Sequence, residues 1–266
     1  MTALLCVAVW LLGFLRPDQG VDRVGGLMVR NPVLRCRLGR DVVEASLGDG
    51  VVALPSGDLE PWRVIRSRRG QLHYPGRYWS AVTGGHVGYE SRLELSWLLL
   101  NDRDRRLSSV VSQPFQLVAE VQGGTRRHVP DFLAVRDDGL VTVVDVKPRR
   151  RLEDPTVAFT FGWTREVVNQ QGWGFEVFSE PDPVLLANVR FLAGYRRRRQ
   201  FDAELLEQAL GVLVSPVPFA EGERKVMAGG VGRARVRGHL LHLLWSGRLR
   251  GDLGSRLTES SLVVTA

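Results

Sequence analysis

The chain has 266 residues, 44% hydrophobic and 24% charged, which is enough apolar content for a sizeable core and too much for a disordered polypeptide. A formal charge of +7 and a pI near 10.2 favour a polyanionic partner, nucleic acid first, because a basic surface concentrates phosphates. The two cysteines, Cys6 and Cys36, form no Cys-x-x-Cys pair, which excludes a disulfide framework and a cysteine metal site and fits a reducing cytoplasm.

Residues 3–15, ALLCVAVWLLGFL, make an apolar run of 13 with no basic residue before it. The run is too short to span a bilayer and lacks the charged region and cleavage site of a signal peptide, so no membrane role is expected. The favoured reading is a chain start set too far upstream, with Met28 as the alternative start. A membrane-facing or partner-facing helix is the lesser reading. Residues 1–27 are set apart from the fold on that ground.

From 33 to 88, short β-like runs (VVALP, WRVIRS, GRYWSAVTG) broken by Gly, Asp and Pro predict strands and tight turns. Next, YESRLELSWLLLND (89–102) sets Leu93, Trp97 and Leu100 at spacings of four and three, predicting a helix with one apolar face. Glu90 and Glu94 share a neighbouring stripe of it.

VVSQPFQLVAEV, HVPDFLAV and LVTVVDVK read as a three-stranded antiparallel meander. With Asp137-Asp138-Gly139 as a three-residue loop, a type I turn followed by Gly139 in the left-handed conformation, Arg136 pairs with Leu140. Asp131 then falls directly opposite Asp145, on one face of the sheet. Lys147 shares that face about 7 Å further along the strand, while Val144 and Val146 point into the core.

Asp154 caps and Pro155 opens a helix over 154–171, GFEVFSE is a further strand, and the same Asp-Pro signal opens a helix over 182–199 that ends in four arginines. This order predicts an α/β fold, a mixed sheet flanked by helices. The segment 212–222 reads as a linker or short edge strand. A helix over about 233–245 with one apolar face, then a hairpin around Gly251–Gly254, predicts a small winged-helix-like domain. The expected division is a nuclease domain over 28–200 and a C-terminal domain over 201–266.

Two carboxylates on one sheet face, a third from an adjoining helix and a lysine beside them suit metal-dependent phosphodiester hydrolysis. Asp and Glu oxygens hold a hard cation such as Mg2+, with Mn2+ as a substitute. The ion polarises the phosphate and acidifies a bound water, and Lys147 orients that water or takes its proton. All but two of the 36 basic residues are arginines, so Lys147 stands where a compact, ionisable amine has a use. Arg149, Arg150 and Arg151 would grip flanking phosphates without reading sequence.

Pro130-Asp131 and Asp145-Val146-Lys147 form the PD-(D/E)xK nuclease pattern. YWSAVTGGHVGYESRLEL, SQPFQLVAEV, HVPDFLAV, VVDVKPRRRLEDP and PDPVLLANVRFL, over roughly 60–210, further resemble the TnsA-like endonucleases of heteromeric transposases. The resemblance implies a restriction-endonuclease-like fold and, from the family's SxLE pattern at Ser91-Arg92-Leu93-Glu94, a ligand at Glu94 in preference to Glu90. It matches the family's aspartate to Asp131 and its lysine to Lys147; Asp145 departs, standing where the best-known pattern has Gln. The implied task is cutting the 5′ strand of double-stranded DNA at transposon ends. An RNase H-like transposase subunit would act on the 3′ strand, and an ATPase regulator would dock on the C-terminal region.

Three rival readings accompany this one. The hairpin acids and lysine can be a solvated face carrying a cross-strand ion pair, and Glu94 a polar-face residue. His128, three residues before Asp131, reads as structural. At the level of the whole chain, the rivals are a stand-alone restriction or repair nuclease and a non-catalytic DNA-binding regulator.

Overall fold

A computed structural model describes residues 27–47, 59–63, 74–228 and 230–266. The apolar N-terminal run, VVALP and most of WRVIRS lie outside them. Within the described residues no helix is long and apolar enough to cross a membrane.

In chain order the elements begin with strands β1 (Val29–Leu38), β2 (Asp41–Ser46), β3 (Leu59–Glu60), β4 (Gly76–Trp79) and β5 (His86–Tyr89), then helix α1 (Arg92–Asn101). Strands β6 (Leu107–Ser112), β7 (Gln116–Val121), β8 (Gly124–His128), β9 (Phe132–Arg136) and β10 (Val141–Val146) follow. Then come α2 (Pro155–Gln170), β11 (Gly174–Phe178), α3 (Pro183–Leu192), α4 (Ala203–Val212), β12 (Val217–Pro218), α5 (Phe219–Met227), α6 (Arg233–Trp245), β13 (Leu249–Gly251) and β14 (Leu262–Thr265). The content is mixed α/β, consistent with the restriction-endonuclease-like expectation. The described residues fall into two compact units, one of those up to Gly76 with Val87–Ser91 and Ser108–Ser179, the other of Arg77–His86, Arg92–Leu107 and those from Glu180 on. Residues 180–200, expected with the nuclease domain, thus cluster in the second unit.

In the first unit the expected meander is replaced by two sheets, one ordered β2-β1-β7-β8 with β3 on β1, the other β11-β10-β9-β6. Each run expected as one strand is cut at a proline, which lacks the N–H a continuous ladder needs. Pro114 separates β6 from β7, and Pro130 separates β8 from β9, so both runs pass from one sheet to the other. The two crossings are tied together: Gln113, with φ +45°, donates its N–H to the Asp131 carbonyl at 2.8 Å.

The hairpin register is as expected. Arg136 N–H donates to the Leu140 carbonyl at 2.9 Å, Gly139 has φ +83°, and the ladder runs from Val141–Val135 to Val144–Phe132; the expected Asp131–Asp145 pair lies beyond its end, where Asp131 N–H meets the Val144 carbonyl instead. Strand β10 runs parallel to β11, and such a pairing needs a crossover, here α2. Asp154 caps that helix, accepting from Thr156 N at 2.9 Å. On α2, Trp163 and Val167 share a core with Leu34 and Cys36 of β1, Leu117 of β7 and Val143 of β10. Burial pushes the Cys36 thiol up to about 11, so it is an inert packing residue.

The core expectation for β10 needs correcting. Val144 and Val146 are buried, but so are Val141, Val143 and Asp145 on the other face. Covered on both sides, β10 reads as an interior strand of a mixed sheet rather than a half-solvated hairpin edge.

In the second unit β12, β14 and β13 form an antiparallel sheet beside α4, α5 and α6. The segment 212–222 is not a linker: it holds the short edge strand β12 of the β12-β14-β13 sheet, Leu213 is fully buried with its carbonyl accepting from Thr265 N at 2.8 Å, and Phe219 opens α5. Helix α6 buries every residue from His239 to Trp245, not one face. The helix expected over 182–199 stops at Leu192, and its arginines lie on short turns. Gly194, which costs roughly 1 kcal/mol in a helix, and the stacking of Arg196 and Arg197 on the Trp79 ring at 5.8 and 5.0 Å account for the change of direction.

Candidate active site

Asp131 follows Pro130 at the point where the chain enters β9, and three hydrogen bonds fix it. Its N–H donates to the Val144 carbonyl at 3.0 Å, its carbonyl accepts from Gln113 N at 2.8 Å, and Oδ2 accepts from Val146 N at 2.7 Å. The carboxylate therefore takes over the ladder position that the strand end leaves open, which aims it along the edge where Asp145 and Lys147 stand.

Asp145 is only 2% exposed and belongs to the face of β10 that carries Val141 and Val143. A buried carboxylate needs a partner. His128 supplies it: Nε2 donates to Oδ1 at 2.9 Å and Oδ2 at 2.8 Å, and the ring meets Trp163 edge-on at 6.3 Å. The solvated ion-pair reading of the hairpin is excluded for Asp145 by its burial and its histidine partner. His128, read from the sequence as structural, is the packing partner of Asp145; it ends β8, paired to Leu117. His128→Ala is expected to strand a buried carboxylate and lower unfolding free energy by about 1.5–3 kcal/mol, measured by urea denaturation. A variant as stable as the parent would show that the pair is not structural.

Lys147 is half-buried and pinned through its backbone. Its N–H donates to the Phe178 carbonyl at 2.9 Å, and its own carbonyl accepts from Ser179 Oγ at 2.7 Å. Among the described residues its ammonium makes no ion pair with a carboxylate, which leaves the amine available for chemistry. Arg149, Arg150 and Arg151 form one exposed 3-10 turn after Pro148, and Arg151 reaches Asp154 Oδ2 at 3.2 Å. The hairpin thus brings Asp131, Asp145, Lys147 and the arginine turn together in one unit.

Glu94 belongs to the second unit. It lies in the first turn of α1 and is 9% exposed, with Ser96, Trp97, Leu98 and Leu99 also buried. The single apolar face expected for this helix, and the surface role weighed for Glu94, give way to a helix covered on most sides. Among the described residues no group of three or more His, Cys, Asp or Glu side chains is arranged to hold a metal ion.

Residues 104–180 match the family model described as TnsA-like endonuclease N terminal. The match contains Asp131, Asp145, Lys147 and the three arginines and leaves Glu94 outside it. No curated protein matches the chain.

Proposed function

We propose, from the premise that residues 104–180 form a TnsA-like endonuclease N-terminal domain, that the chain is a metal-dependent DNA endonuclease. It acts as the subunit of a heteromeric transposase that hydrolyses the 5′ strand at transposon ends. The observation that carries this reading is the hairpin itself: Asp131, just before β9, is bonded through backbone and carboxylate to Val144 and Val146, the two neighbours of Asp145, and Lys147 follows directly.

The donor set fits a hard divalent cation. Asp131 and Asp145 offer carboxylate oxygens, the ligands Mg2+ takes; His128 Nε2 stands against both oxygens of Asp145, so a bound cation would displace that hydrogen bond. Asp131 and Asp145 would hold Mg2+ or Mn2+, and Glu94 is proposed as the third carboxylate. When bound, the ion polarises the scissile phosphate and makes its water acidic.

This chain's own residues supply the remaining chemistry. Lys147 orients the attacking water through its ammonium, which among the described residues no carboxylate engages. Arg149 and Arg150 hold phosphates on either side of the cut. The α4, α5, α6 and three-stranded sheet assembly is read as a winged-helix-like module that docks an ATPase regulator, with an RNase H-like subunit cutting the opposite strand.

Cleavage of end-bearing DNA by the full chain, with and without its partner transposase, tests this. Cutting only in the complex, abolished by the Asp131→Asn, Asp145→Asn, Lys147→Ala triple variant, is the expected result. Cutting by the isolated chain would favour a stand-alone nuclease, and retained cutting by the triple variant would exclude this site.

A further inference from the structure

The second unit carries a cleft of about 350 Å³ lined by five arginines against two aspartates. One wall is Arg103 and Arg105, which follow α1. The other is Arg196 and Arg198, which follow α3, with Arg248 at the rim. These arginines differ in how they are used. Arg248 is neutralised by a bidentate pair to Glu207 at 2.9 Å. Arg103, Arg105, Arg196 and Arg198 have no carboxylate within ion-pair distance among the described residues.

Two of those four are held as fixed cations. Arg103 donates Nε and Nη2 to the Trp245 and Leu244 carbonyls at 3.1 and 2.9 Å, the C-terminal end of α6, and burial makes its charged form costlier than usual. Arg196 donates Nε to the Trp79 carbonyl at 2.9 Å and Nη1 to the Ala193 carbonyl at 2.6 Å. Asp102, at the cleft wall, is saturated by four donors from residues 78–82, so it offers neither arginine a hydrogen bond. Both guanidinium groups also lie over aromatic rings, Arg103 over Trp245 and Arg196 over Tyr78 and Trp79, but none of these neutral partners cancels their charge, so an external anion gains more from them than from an exposed, hydrated cation.

We propose that this cleft is a second DNA contact of the protein, taking successive phosphates of one backbone strand. The site reads phosphate and not base: the aromatic groups at the cleft, Trp245 and His242, are 2% and 4% exposed, which leaves no ring face on which a base or a free nucleotide could stack. Cations on two walls of an open cleft match a repeating charge, and rigid guanidinium forks match phosphate oxygens. DNA is chosen over an acidic protein surface because the same chain carries an endonuclease domain, so the inference rests on the proposed function for its ligand. Contacts of this kind add affinity without sequence preference.

The test uses the full chain and a labelled 30-base-pair duplex without added divalent cation, titrated by fluorescence anisotropy over a range of salt concentrations. Arg105→Ser with Arg198→Ser removes two cleft cations whose side chains are exposed, and Arg190→Ser with Arg224→Ser is the charge-matched control in the same unit. The cleft variant is expected to bind roughly tenfold or more weakly and to lose about 1.8 from the slope of log K against log salt, some 0.9 per phosphate. The control should stay within about twofold of the parent. Equal losses in both variants, or an unchanged slope in a cleft variant with the parent's thermal midpoint, would overturn the proposal, and binding of an acidic protein would then be the better reading. Failure of the nuclease reading looks different: the cleft variant loses DNA binding while the parent never cuts. Failure of the cleft alone leaves a parent that cuts and a cleft variant that binds as the parent does.

Discussion

Lys147→Ala is expected to yield a folded protein that binds DNA as the parent does and cuts it about 10²–10⁴ times more slowly, the usual contribution of a positioned acid–base group. The side chain can be removed at little structural cost because what Lys147 gives the fold comes from its backbone, bonded to Phe178 and Ser179, and alanine keeps both bonds. Arginine at the same place should not restore cutting. It keeps the charge but replaces a compact ammonium by a planar fork, so an intermediate rate in Lys147→Arg would mean that Lys147 serves only as a charge. Single-turnover cleavage in the assembled complex separates these outcomes. A rate within threefold of the parent for Lys147→Ala would remove it from the chemistry.

The largest stability loss is expected in the second unit. Asp102→Ala should cost about 3–5 kcal/mol in urea unfolding, because it leaves several donors without an acceptor at once. Asp102 accepts from Tyr78 Oη at 2.8 Å, Ser80 Oγ at 2.5 Å, Ala81 N at 2.9 Å and Val82 N at 3.0 Å, and so ties the 77–86 segment to the end of α1. Tyr78 and Ser80 are buried, so water does not readily replace the carboxylate. The phenol answers to the same surroundings: burial first, then the charge and hydrogen bond of Asp102, push Tyr78 far above its ordinary value, and it stays a donor. Because that shift is upward, the stability it contributes is complete below the ordinary tyrosine range near pH 10 and fades above it. Asp102→Asn, which keeps one acceptor oxygen, should recover part of the loss. A cost under about 1 kcal/mol for Asp102→Ala would mean that water or another group takes over its bonds.

The parts of the fold legible in the sequence are those that local chemistry decides. The Asp137-Asp138-Gly139 loop fixes the register of β9 against β10 and so brings Asp131 to the end of the ladder beside Val144. Asp154 and Asp182 before prolines cap their helices for the same local reason. What stayed hidden depends on partners distant in sequence. Prolines 114 and 130 mark breaks, but that the pieces join different sheets follows from β1 pairing with β7, some 85 residues on. The burial of Asp145 follows from His128 at the end of β8 and Trp163 of α2, neither of which is near it in sequence. Asp102 carried no signal, since its donors lie 20 to 24 residues upstream and two of them are backbone N–H groups. Glu94 could be picked by its pattern, but its burial could not, because α1 presents no clean polar face.

The most direct measurement is calorimetric titration of Mn2+ into the full chain mixed with duplex DNA, beside Asp131→Asn under the same conditions. A saturable heat in the parent that is lost in the variant is the predicted result. No uptake, or uptake that Asp131→Asn leaves unchanged, would contradict a cation site on the hairpin.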